Sequence, residues 1–289
     1  MPAMAGIAPR IVDRANGQMF SVERKYIQKR VWPFLIKIGA LMVLLFPTGA
    51  SGTYIAAIFS ENVFVIGSDS RAVDVDGRTI KSSDACKILL LNDTTVFALV
   101  GTFEFTPDAT KPLIKMYDLA SAAGAAHGTN INAMASNFAD SVADKLNLTT
   151  QDSQWRAPAN DTFVAMGLFG GFNQNAAPQL TSVSIFYSSA AKVFVHSQIH
   201  VQTIKSAVIY PSYEEATRQI LTSSDFKKFM KNNSGPEPQR LASLVDVLIT
   251  KMIESNVSIM IGGTPTILIM ERGKRPRWHR KAKDCPDLN

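Results

Sequence analysis

The sequence has no internal repeat and no low-complexity tract, and every apolar run stops short of comfortable bilayer length. Val31–Phe46 comes nearest, but Lys37 interrupts it, and its clean core, Ile38–Phe46, is too short for a hydrocarbon layer of roughly 30 Å. Histidine is scarce. His127, His196, His200 and His279 show no ligand spacing, and His196 and His200 in one strand would lie about 13 Å apart on one face. No metal and no cofactor are expected. Cysteine is scarcer still, and two residues, Cys86 and Cys285, make a weak pattern: a disulfide or two unrelated thiols. Charge is also thin beyond the N-terminal stretch. The chain carries +6 in all, of which residues 1–52 supply +5. That leaves little support for a nucleic-acid partner, and the basic cluster Arg272–Lys281 reads as a solvated C-terminal strand and tail.

What is present is an ordinary globular composition, 46% hydrophobic and 19% charged, on 289 residues, enough to bury a full core. The N-terminal region resembles an export leader. A long basic segment containing Lys25, Lys29 and Arg30 precedes the apolar run, and Pro47-Thr48-Gly49-Ala50-Ser51-Gly52 follows it. Ala50 and Gly52 then stand at the minus-three and minus-one positions of a cut before Thr53. The expected division is a leader over 1–52 and one domain over 53–289, located in the periplasm or outside the cell. If the leader is kept, residues 31–46 would instead anchor the protein to a membrane. Export places the two cysteines in an oxidising compartment, where they can pair.

After the leader, Tyr54–Phe59 and Val63–Gly67 flank the polar break Ser60-Glu61-Asn62, a hairpin pattern. Lys87–Leu91 and Thr95–Val100 form a second hairpin around Asn92-Asp93. Helices are expected from near Pro107 and over 132–146, where Met134, Phe138, Val142 and Leu146 make one stripe. Residues 149–160 read as a linker. Strands follow at 162–169, 179–187 and 192–199, helices at 212–221 and 238–255 with loop over 231–238, and strands at 265–271 and 277–279. Blocks of strands alternating with blocks of helices predict an α+β fold with stacked sheets and helices outside.

The Thr53-led hairpin, Gly67-Ser68-Asp69-Ser70-Arg71-Ala72, the Lys87-led strand and Val100-Gly101-Thr102 resemble a proteasome β-type subunit. Asp69 lies sixteen residues after Thr53, and Gly101 lies fourteen after Lys87, as in that family; the stretch from Asp69 to Lys87 is longer by two. The resemblance is strongest over 53–102 and thin beyond. It implies a four-layer α-β-β-α N-terminal nucleophile hydrolase acting on a peptide or amide substrate, with a homo-oligomer as a possible partner. By the same resemblance Thr53 is the nucleophile, Asp69 and Lys87 its charged supports, and Gly101 the oxyanion donor. Arg71 would support the Asp69 turn, Val73 would line the substrate channel, and Leu99 would shape the pocket.

The chemistry asks for these residue types. A threonine hydroxyl is a poor nucleophile until a base takes its proton. A free α-amine titrates near neutrality, at roughly 7.7–8.0, and on the first residue it sits beside that hydroxyl. Cleavage before Thr53 would therefore switch the enzyme on. A buried Lys87 cation lowers the pKa of the amine and hydroxyl, and Asp69 compensates its charge. The family also carries an aspartate and a serine before a late Gly-Gly, where this chain has Ser258 and Ile261. Ser206 or Ser212 could substitute for them. An idle assembly or binding subunit of the same fold is the alternative reading.

Overall fold

The computed structural model describes residues 40–43, 53–73, 80–106, 111–151, 156–203, 206–210, 214–258 and 260–288. The chain divides into a unit over 1–38, outside the described residues, and a unit over 39–289. The described part of the second unit mixes helices with mainly antiparallel sheet, an α+β fold.

The strands, in chain order, are β1 (Ala40–Val43), β2 (Ile55–Phe59), β3 (Val63–Ser68), β4 (Ala72–Val73), β5 (Ile80–Ser82), β6 (Ile88–Asn92), β7 (Thr95–Gly101), β8 (Glu104–Phe105), β9 (Ile114–Lys115), β10 (Thr162–Phe172), β11 (Pro178–Ser188), β12 (Val193–His196), β13 (His200–Gln202), β14 (Ser206–Tyr210), β15 (Thr266–Glu271) and β16 (Arg277–Arg280). The helices are α1 (Met116–His127), α2 (Ile131–Gln151), α3 (Glu214–Thr222), α4 (Ser224–Asn232) and α5 (Glu237–Glu254).

One six-stranded sheet runs β1-β14-β2-β3-β15-β16, and the other runs β12-β11-β10-β7-β6 with β13 also on β11. Both hairpins read from the sequence are present: β2 pairs antiparallel with β3, and β6 with β7. Every side chain of β2 and β3 is buried, which explains their continuous apolar runs. Ile55, Ala57, Phe59, Phe64 and Ile66 of the first sheet meet Val96, Ala98, Val100, Met166 and Leu168 of the second in one core cluster. On the other face of the second sheet, Phe97, Leu99 and Phe169 pack with the α2 stripe Met134, Phe138, Val142 and Leu146, all fully buried. Helix α5 lies on β2, β3 and β15 and buries Leu241, Leu244, Val245, Leu248, Ile249 and Met252.

Several boundaries differ from the sequence reading, each for a local reason. The first helix begins at Met116 rather than near Pro107. Pro112 cannot sit inside a helix and pushes its predecessor toward extended backbone, and β8 and β9 form a short ribbon there. Helix α2 runs on to Gln151, with Thr149 and Thr150 hydroxyls donating to the Lys145 and Leu146 carbonyls at 2.6 and 2.8 Å. Gly170 and Gly171, expected in a loop, continue β10 opposite Leu180 and Gln179. His196 and His200 fall on separate strands, opposite Ile185 and Ser182. Helix α4 occupies a stretch that the reading left mostly unassigned, capped by the Ser223 hydroxyl accepting from Phe226 N at 3.1 Å. Strand β14 had no counterpart in the reading.

Strand β1, from the apolar segment read as leader, pairs parallel with β14; Ala50 and Gly52, which precede the expected cut, lie outside the described residues. Among the described residues no helix is long and apolar enough to cross a membrane. Cys86 and Cys285 form a disulfide across 199 residues, with Cα atoms 4.8 Å apart. It fixes the C-terminal tail against the segment before β6, where Asp284 N also donates to Asp84 O at 3.2 Å.

Candidate active site

The first hairpin explains why an aspartate sixteen residues after a threonine is informative. Because Ile55 pairs with Ser68, the residues just before β2 lie opposite those just after β3. Asp69 N donates to Tyr54 O at 3.1 Å, and Tyr54 N donates to Asp69 Oδ1 at 2.8 Å. The Asp69 carboxylate is thereby tied to the residue that follows Thr53. Lys87 enters from the other sheet, one residue before β6, and its Nζ donates to both Asp69 oxygens at 3.1 Å. Thr53, Asp69 and Lys87 are each fully buried. Thr53 Oγ1 is enclosed with no hydrogen-bond partner among the described residues.

The remaining carboxylate capacity is filled by backbone. Gly262 N donates to Asp69 Oδ2 at 3.1 Å and Arg71 N at 3.3 Å, while Gly262 O accepts from Ser70 N and Arg71 N at 3.1 and 2.9 Å. The Arg71 guanidinium lies over Gly262 so closely that a Cβ there would meet Arg71 Cζ at 2.3 Å. A side chain at 262 would displace the arginine. Ser70 Oγ donates to Ser83 O at 2.5 Å and accepts from Thr264 N at 2.7 Å, fastening the same turn to the segment before Lys87.

Burial pushes the Asp69 carboxyl up and the Lys87 ammonium down, and the attraction between them opposes both shifts. The Tyr54 and Gly262 N–H groups further favour the carboxylate, and the positive charge of Arg71 lowers Lys87 further. The outcome is a desolvated pair whose lysine gives up its proton more readily than a lysine in water. The Phe103 ring centroid lies 5.8 Å from Nζ.

Lys87 is the member of this trio that reaches a cavity of about 460 Å³, which Val73, Gly101, Phe103, Tyr117 and Met260 also line. Gly101 ends β7 with φ +100°, and a Cβ there would sit 2.6 Å from Val164 O. Only glycine fits that backbone without strain. Leu99, read as shaping the pocket, is fully buried in the core cluster shared with α1 and α2 and does not line the cavity. Thr53 and Asp69 are enclosed and do not line it either.

Ser258 and Ile261 form the turn that presents Gly262. Ser258 Oγ accepts from Met260 N at 3.2 Å, its carbonyl accepts from Ile261 N at 3.1 Å, and Ile261 is buried. Ser212 and the Ser206 side chain lie outside the described residues. Among the described residues, no three or more His, Cys, Asp or Glu side chains cluster where they could hold a metal ion.

The sequence reading missed the backbone donors on Asp69 from Arg71 and Gly262, and it missed Tyr117. The donors leave no residue-type signal. Tyr117 stands sixteen residues beyond Gly101, behind a ribbon that the reading did not contain. No protein-family model and no curated protein matches this chain.

Proposed function

We propose that the chain is a proteasome-like threonine hydrolase of peptide or amide bonds, activated by cleavage before Thr53. The observation that carries this reading is the buried Lys87–Asp69 pair, held by Tyr54 N beside a fully buried Thr53 whose hydroxyl has no partner among the described residues. Cleavage would turn the Thr53 nitrogen into an amine. It would take the hydroxyl proton as Oγ1 attacks the substrate carbonyl, and return it to the leaving amine. Lys87 would keep that amine unprotonated near neutral pH, and Gly101 N–H would receive the oxyanion, a donor typically worth about 3–4 kcal/mol. Water would then release the acyl group from Thr53.

The fold we infer for this chemistry is a four-layer α-β-β-α sandwich. The shared core between the two sheets, α2 on one outer face and α5 on the other support it. Export through the leader fits the Cys86–Cys285 disulfide, which persists in oxidising compartments. A second reading is an idle assembly or binding subunit. It draws on Ser258, whose hydroxyl is engaged by Met260 N, and on Ile261, which supplies no polar group.

A threonine-directed electrophile separates the two. The enzyme reading expects one adduct per processed chain, abolished by Thr53→Ala. An unlabelled wild type, or labelling that survives in the alanine variant, removes Thr53 as nucleophile.

A further inference from the structure

The wall of the cavity beside Lys87 contains a hydroxyl that the hydrolase chemistry leaves unused. Tyr117 lines this cavity, and its Oη is enclosed without a hydrogen-bond partner among the described residues. Such an orphan is desolvated without compensation unless something pairs with it, so the position invites a ligand. The ring cannot turn away freely. It packs edge-on against Phe97 with centroids 5.5 Å apart and stacks on Phe103 at 5.9 Å. Burial, and next the negative charge of Asp69, push the phenol's pKa up, so the hydroxyl keeps its proton and can donate.

We infer that Tyr117 selects the substrate side chain seated in this cavity, donating to the oxygen of a carboxamide, as in a glutamine or asparagine residue. The inference rests on the hydrolase reading, with this cavity, which Lys87 and Gly101 line, taken as the substrate site. The walls around the hydroxyl favour a neutral ligand. Val73, Phe103, Phe163, Val164 and Met260 line the cavity with apolar surface, its charged lining balances with Lys81 and Lys115 against Glu104 and Asp118, and Lys87 is already committed to Asp69. A carboxylate would lose more solvation than a carboxamide against this apolar surface. An aliphatic side chain would fill the space but leave Oη unpaired, and a site built around a buried donor rejects a ligand that cannot accept from it.

Two capped tetrapeptide amides serve as probes, identical except for a C-terminal glutamine or norleucine. Their binding to the full-length chain is measured by calorimetry, with the Thr53→Ala chain alongside. We expect the glutamine peptide to bind about ten-fold tighter than the norleucine peptide, with the preference retained in Thr53→Ala. Tyr117→Phe should erase the preference while leaving norleucine binding unchanged. No binding of either probe, no preference, or a preference that survives in Tyr117→Phe would each overturn the inference. Because the preference is read on a chain lacking the Thr53 hydroxyl, a failed hydrolase proposal and a failed Tyr117 assignment give different results. Tyr117→Phe should also fold with an unchanged or higher melting temperature, since its hydroxyl is unpaired in the free protein. A marked fall in melting temperature would show that the hydroxyl is already engaged, and would overturn the inference as well.

Discussion

Replacing Asp69 by asparagine changes shape little and removes one charge from a fully enclosed site. In the native protein Lys87 Nζ lies 3.1 Å from both carboxylate oxygens, and both side chains are fully buried. The asparagine side chain would leave the ammonium uncompensated. Its amide nitrogen would also face the Gly262 and Arg71 N–H groups, or else the Tyr54 N–H, all donors. Breaking a buried pair by removing one partner costs about 3–5 kcal/mol, a large part of the roughly 5–15 kcal/mol that holds a typical domain folded. Exposed pairs such as Arg280–Asp246 and Lys251–Glu254 should contribute under about 1 kcal/mol each. Urea denaturation of Asp69→Asn and wild type, from neutral to alkaline pH, measures the difference. In the variant the folded Lys87 pKa is depressed below its unfolded value. Folding therefore gains stability as pH rises from the folded pKa toward the ordinary 10.5, and the gap to wild type should narrow. Adding Lys87→Met to Asp69→Asn should recover much of the loss, because no unpaired charge remains. A deficit below about 1 kcal/mol that ignores pH would refute the buried-pair reasoning.

In the processed protein, Gly101→Ala should lower kcat on any turned-over peptide by about 100- to 1,000-fold, because a Cβ at φ +100° clashes with Val164 O and shifts the backbone N–H away from the oxyanion; unchanged turnover would remove Gly101 from the site. The alkaline limb of the kcat/KM profile should fall below 10.5, since burial lowers Lys87 and its deprotonation removes the cation that lowers the pKa of the Thr53 hydroxyl. A limb at or above that value, read by titrating initial rates, would contradict the role. Cys285→Ser should cost about 2–5 kcal/mol of folding stability in urea. The native protein should show no reactive thiol before reduction, and a free thiol at Cys86 would disprove the bridge.

The parts of the fold that could be read in advance were those with a strong local pattern. The β2–β3 hairpin announced itself through two branched, aromatic runs around Ser60-Glu61-Asn62, and α2 through its four-residue stripe. The Thr53–Asp69 spacing was legible through the resemblance, and the hairpin register, which sets Asp69 opposite Tyr54, supplies its physical reason. Strand β14 was missed because Ala207-Val208-Ile209-Tyr210 is too short to distinguish from other apolar runs, although it pairs with β2 in the first sheet. The ribbon before α1 was missed because an apolar period and a polar Pro-containing stretch looked like one helix start. Leu99 shows a different limit. A strand alternates faces, and Leu99 falls on the face that packs against the helices. The Gly262 and Arg71 amides were invisible because any residue except proline carries one.

The Thr53 assignment stands or falls on which residue begins the working protein. Intact-mass measurement of the chain purified from its natural compartment, under non-reducing conditions, reads this directly. The account predicts a single species with the mass of residues 53–289, lower by the two hydrogens of the Cys86–Cys285 bridge. A mature chain that retains any residue before Thr53 would contradict it, because the threonine nitrogen would then be an amide with no basicity to lend.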